Sequence, residues 1–146
     1  FNPLVSAAAA FEGRLRPGAA LRFAAAQFGG GWLGTLAAQA MFGLPLIQAS
    51  GRVRSGPELW LSEALASFTL LLVIGLCSRR RPDATPLAVA ATITAAYWFT
   101  ASTAFANPAV TLARAASDSF AGIRLADVPA FWIAQALGAA AGAPLA

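Results

Sequence analysis

Asn2-Pro3-Leu4-Val5-Ser6-Ala7-Ala8 and Asn107-Pro108-Ala109-Val110-Thr111-Leu112-Ala113 are two copies of one pattern, sharing Asn, Pro, Val and Ala, with Ser6 facing Thr111. Asparagine is a preferred helix N-cap, and proline at the first helical position lacks an N–H that a helix start leaves unpaired anyway. Each copy therefore reads as the start of a short helix, over residues 1–12 and 107–117, too short to cross a bilayer. A second match lies downstream of each, because Ala26-Gln27-Phe28-Gly29-Gly30 and Ala134-Gln135-Ala136-Leu137-Gly138 share Ala-Gln-x-x-Gly. The chain repeats itself, and each copy is a short helix followed by a longer one.

The residues around these copies suit lipid rather than water. Of 146 residues, 58% are hydrophobic and 11% charged, with a mean hydropathy of +0.66; a soluble domain carries about a quarter charged residues. Ten arginines and six acids, with no lysine, are too few to coat a soluble core of this size. With no histidine and one cysteine, Cys77, the chain cannot assemble a His/Cys metal site, a Ser-His-Asp triad or an intrachain disulfide. No enzyme activity, metal or cofactor is expected. The sequence pI of about 11.1 rests on a net charge of only +4. Six of the arginines fall in two clusters, Arg14/Arg16/Arg22 and Arg79/Arg80/Arg81, an arrangement that suits anionic lipid better than nucleic acid. The chain opens on Phe1, has Met41 as its single methionine and carries no charged leader, so it reads as a fragment or a processed form.

Four apolar stretches have about the length that crosses a bilayer, roughly 20 residues: 21–42, 59–77 (interrupted by Glu63), 85–102 and 129–146. Two spans lie between the arginine clusters and return the chain to the same side, which the positive-inside rule makes cytoplasmic; Arg52, Arg54 and Arg124 then lie opposite. Three crossings separate the two Asn-Pro copies, so the copies are inverted relative to each other. Inverted repeats with discontinuous helices build midplane sites in membrane transport folds, and short helices at membrane depth must be buried in protein or line a cavity.

Two Asn-Pro boxes, an Ala-Gln-x-x-Gly after each, and Glu63 in the span before the second box resemble the major intrinsic protein family, the aquaporins and aquaglyceroporins. Ala96-Tyr97-Trp98-Phe99-Thr100-Ala101-Ser102, the second box and Asp118-Ser119-Phe120-Ala121-Gly122-Ile123 are more particularly similar to bacterial aquaglyceroporins associated with arsenic resistance. The resemblance implies an all-α membrane protein, an aquaporin-like inverted-repeat bundle. Here it has four spans and two re-entrant half-helices, forms part of a single channel domain over 1–146, and lacks the family's first two helices. It implies a homotetramer in the bacterial inner (plasma) membrane that passes small neutral solutes such as water, glycerol-like polyols and arsenous acid.

Residue by residue, the family pattern makes Asn2-Pro3-Leu4 and Asn107-Pro108-Ala109 the pore boxes, with both asparagines donating amide hydrogens to solute oxygens. Leu4 stands where the family has alanine and adds bulk where the boxes should touch. The filter falls at Ala95, Ala104 (through its backbone carbonyl) and Val110, where the family usually has arginine; a wider and more apolar constriction follows. Glu63 is expected to accept backbone N–H groups of a re-entrant loop, with Gln27 and Gln135 in similar supporting roles. An unpaired carboxylate within a span costs at least roughly 2.5 kcal/mol. Gly29, Gly30, Gly31 and Gly34 are expected to let the first span pack closely, as are Gly138 and Gly142 in the fourth. The alternatives are a non-conducting fragment and an ion-coupled transporter using Glu63 as a proton-relay acid.

Overall fold

A computed structural model describes residues 1–145, and among them the chain is helix and loop with no strand. Six helices follow in order: α1 (Pro3–Phe11), α2 (Pro17–Met41), α3 (Pro57–Arg80), α4 (Thr85–Phe99), α5 (Pro108–Arg114) and α6 (Val128–Gly142). Each carries a proline in its first two positions, where the missing N–H breaks no helical bond. Six of the nine prolines thus mark where helices begin.

The helix ends differ from the apolar stretches for local reasons. Pro17 starts α2 ahead of Leu21, so Arg22 lies inside the helix. The third helix runs beyond 59–77 at both ends because Glu58 sits in its first turn and Arg79 and Arg80 in its last, each sign complementing the helix dipole. The fourth stops at Phe99, where Thr100 turns extended. Beyond Arg114 the backbone tightens, with Ala115, Ala116 and Ser117 donating to carbonyls three residues back. α6 passes into a tight turn over Ala143–Leu145; Ala146, the end of the fourth expected span, lies outside the described residues.

Among the described residues two segments, Pro57–Arg80 and Leu125–Leu145, are long and apolar enough to cross a membrane. The 25-residue α2 has the length, but five glycines, Gln27 and Gln39 dilute its hydropathy. The 15 residues of α4 span about 22 Å at the helical rise of 1.5 Å per residue.

The chain divides into two compact units: Phe1–Ser55 with Asn107–Ala130, and Gly56–Ala106 with the residues from Phe131 onward. In the first, one face of α2 carries both half-helices through Gln27, Gly31 and Thr35, spaced four apart and hence on one face. Gln27 Nε2 donates to Ser6 Oγ of α1 at 3.2 Å. Gly31 lies against α5, where a Cβ would come within 3.3 Å of Ala113 Cβ and 3.4 Å of the Ala109 carbonyl oxygen. Thr35 Oγ1 reaches the Ala113 carbonyl at 3.4 Å and that of Gly31 at 3.1 Å. Of the four glycines expected to pack, Gly31 does so among the described residues; a Cβ at Gly29, Gly30 or Gly34 would meet nothing within 4 Å.

In the second unit α6 lies directly on α3. A Cβ at Gly138 would overlap the Ala64 carbonyl, and one at Gly142 that of Phe68, the close approach that small residues permit between membrane helices. This contact brings Gln135 beside Glu63, and both are fully buried. Glu63 Oε1 accepts Phe105 N–H at 2.8 Å; its Oε2 accepts Ala106 N–H at 2.8 Å and Gln135 Nε2 at 2.6 Å. The loop so held is strained: Thr103, Ala104 and Ala106 have φ of +63°, +46° and +44°. Such conformations cost non-glycine residues about 1–3 kcal/mol each and persist only where surrounding structure enforces them. Phe105, whose N–H is one of those held, also packs edge-on against Phe131, with ring centroids 5.5 Å apart.

Two outcomes follow from this packing. Glu63→Gln turns an acceptor into a donor facing another donor, removing at least one charge-assisted bond worth about 1.5–3 kcal/mol. The detergent-solubilised variant should unfold several degrees below wild type in a tryptophan-fluorescence melt, and an unchanged midpoint would sink the scaffold reading. Gly138→Val drives a branched side chain into the Ala64 carbonyl and should leave no monodisperse protein on gel filtration; a normal elution profile would mean that α3 and α6 do not need this approach.

Candidate functional site

The two Asn-Pro boxes form the same local structure. Asn2 and Asn107 both take extended backbone angles at N-cap positions. Asn2 Oδ1 accepts Leu4 N–H at 3.0 Å, and Asn107 Oδ1 accepts Ala109 N–H at 3.0 Å and Val110 N–H at 3.3 Å. The oxygen of each amide is thereby committed to its own helix start. Asn107 Nδ2 donates to the Phe1 carbonyl at 2.9 Å. Since that carbonyl immediately precedes the first box, this bond ties the two boxes together, and the second Nδ2 hydrogen remains available to a partner.

Beside this junction lies a cavity of about 440 Å³, lined by Phe1, Phe23, Ala26, Gln27, Gly30, Gly31, Asn107, Ala109 and Val110. Its walls carry no charged side chain; the side-chain amides of Gln27 and Asn107 are the polar groups among apolar ones. Gln27 Oε1 is enclosed and has no hydrogen-bond partner within the protein. A mostly apolar cavity with a few placed polar groups is the usual form of a small-molecule site.

The filter positions divide between the units. Val110 is half-buried on the first turn of α5 and lines the cavity. Ala95 is an exposed residue of α4 in the other unit. In that same unit Ala104 is buried in the strained loop, and its N–H donates to Ser102 Oγ at 3.2 Å. Pro3 and Leu4 are half-buried in α1, and Ala109 is buried in α5. Of the supporting residues, Glu63 and Gln135 join in one network, whereas Gln27 bonds Ser6 of the half-helix itself.

Sequence reasoning missed the segment on which the far end of α5 rests. Arg54, read as a loop charge, is 5% exposed. It lies in a stretch, residues 48–54, that runs alongside residues 115–127 and bonds to it repeatedly. Asp127, buried at the close of that partner stretch, pairs with Arg124 at 2.8 Å. Through that hydrogen bond and its charge Asp127 raises the Arg124 pKa above the ordinary arginine value. No local pattern marks Arg54 for burial, because residues two apart in an extended segment share a side, yet Arg52 is exposed and Arg54 buried.

No family model matches the chain, and no solved structure matches it. A curated protein does: the aquaglyceroporin AqpS of Rhizobium meliloti (strain 1021) is 49% identical over 139 residues, which is 95% of this chain and 60% of that relative. The chain thus spans less than two thirds of the relative's length. With half its residues shared along nearly its whole length with an aquaglyceroporin, this chain belongs to the major intrinsic protein family and is an integral protein of the bacterial plasma membrane.

Proposed function

We propose that the whole protein to which these residues belong is a passive channel for small uncharged solutes: water, glycerol-like polyols and, as the candidate of special interest, arsenous acid. Residues 1–146 contribute one part of a single channel domain, and the protein works as a homotetramer. The observation that carries the reading is the bond from Asn107 Nδ2 to the Phe1 carbonyl. It joins the two Asn-Pro boxes beside an uncharged cavity of about 440 Å³.

In this reading the side-chain amides of Asn2 and Asn107 donate to hydroxyl or water oxygens in turn. Each helix start adds roughly half a positive charge from aligned peptide dipoles, which opposes cations and leaves neutral solutes unaffected. Asparagine can cap a helix and still donate, whereas aspartate would cancel the field. Val110 supplies no fixed cation, so the constriction that the family pattern puts at this position favours solutes larger than water. Glu63 serves by holding backbone, since both its oxygens are occupied by Phe105, Ala106 and Gln135. An acid so engaged is poorly suited to carry protons, which favours the passive channel over an ion-coupled transporter.

The test is solute flux into proteoliposomes holding the whole natural protein, followed by light scattering. Polyol entry should rise linearly with concentration and ignore any ion gradient; saturation or gradient dependence would overturn the passive reading. Val110→Arg should reduce polyol flux more than water flux, and equal loss of both would remove Val110 from the constriction. Asn107→Asp should lower neutral flux and admit cations, while an unchanged conductance would count against the paired boxes.

A further inference from the structure

The half-helix that carries Asn107 and Val110 has seven residues, too few to hold its own orientation. Its start is fixed by the Asn107 cap and its side by Gly31. Its far end is fixed by residues 48–54. Gln48 N–H donates to the Ala116 carbonyl at 3.2 Å and Ser50 N–H to that of Ala115 at 3.0 Å, where the helix has run out of its own donors. Further along, Gly51 N–H donates to Asp118 Oδ1 at 3.0 Å. Arg124 N–H donates to the Arg52 carbonyl at 2.7 Å, and Arg54 N–H to Asp127 Oδ2 at 2.9 Å. The basic side chain buried along this seam is Arg54. Its Nε donates to the Gly122 carbonyl at 2.7 Å and a terminal nitrogen to that of Phe120 at 3.0 Å. A guanidinium in so closed a place is tolerated only when its fixed fork of donors is met. Gly122 completes the fit, because any side chain there would strike the Ser117 carbonyl and Ser50 Oγ.

We propose that Arg54 is the positioning residue of the second re-entrant segment: by gripping the carbonyls of Phe120 and Gly122 it sets where the far end of α5 lies, and through that rigid half-helix the placement of Asn107 and Val110. Selectivity between polyol and water then depends on a residue that does not line the cavity. This inference rests on the channel reading for its consequence, but not for its geometry. Lysine reaches one carbonyl where arginine grips two, and methionine grips neither.

Amide hydrogen exchange of the whole protein in detergent, compared among wild type, Arg54→Lys, Arg54→Met and Gly122→Ala, tests the grip without any transport. Exchange over residues 115–124 should rise by about tenfold or more in Arg54→Met, as expected when a buried charge-assisted bond is lost. It should rise less in Arg54→Lys, while α3 and α4 keep their wild-type rates. Wild-type exchange over 115–124 in Arg54→Met overturns the proposal. So does faster exchange throughout the protein, which would make Arg54 a determinant of overall stability rather than of position. If Arg54→Met does not fold, Arg54→Lys and Gly122→Ala carry the same comparison. In proteoliposomes Arg54→Lys should shift the polyol-to-water permeability ratio; an unchanged ratio with loosened exchange overturns the link to selectivity. Wild-type liposomes without solute flux would sink the channel reading and leave the exchange result standing.

Discussion

A backbone that turns back on itself inside an apolar medium has no water to complete its hydrogen bonds, so each N–H and carbonyl along the turn must find a partner in the protein. Glu63 meets that constraint for the loop before the second box. Its two oxygens take the N–H groups of Phe105 and Ala106, and Gln135 holds it from the other side. The left-handed turns at Thr103, Ala104 and Ala106 are sustained by that anchorage. The glycines at 138 and 142 have a matching purpose, since α6 must lie directly on α3 for Gln135 to reach the carboxylate.

The elements legible in the sequence were those governed by neighbouring residues. Asn-Pro announced both half-helices because cap and first turn are a matter of adjacent side chains, and Asn2 and Asn107 cap as their residue types dictate. Proline marked the remaining helix starts for the same reason. Hydropathy located the longer helices but misjudged their ends, because Glu58, Arg79 and Arg80 are polar yet suit a helix terminus.

What was not legible depends on residues distant in the chain. Nothing around Thr103 or Ala104 signals positive φ, which usually calls for glycine; the cause sits some forty residues earlier at Glu63. The two Ala-Gln-x-x-Gly motifs look alike, yet Gln27 reaches a serine hydroxyl and Gln135 a carboxylate, since each takes whatever its unit brings near. Arg54 is chemically the same as Arg52, and only the far segment carrying Phe120 and Gly122 decides that one is buried and the other exposed. The glycines of α2 are alike in sequence too, and the position of α5 alone singles out Gly31.

The brevity of the half-helices bears on the order in which the protein acquires its structure. Nine residues in α1 and seven in α5 fall well below the roughly 12–15 that a helix needs to persist alone in water, because the first turn is costly to nucleate and few later bonds offset it. Neither segment can serve as a template for the rest. Each is helical where it lies against α2, α1 through Ser6 and Gln27 and α5 through Gly31, so the shape of both boxes depends on that longer helix being in place.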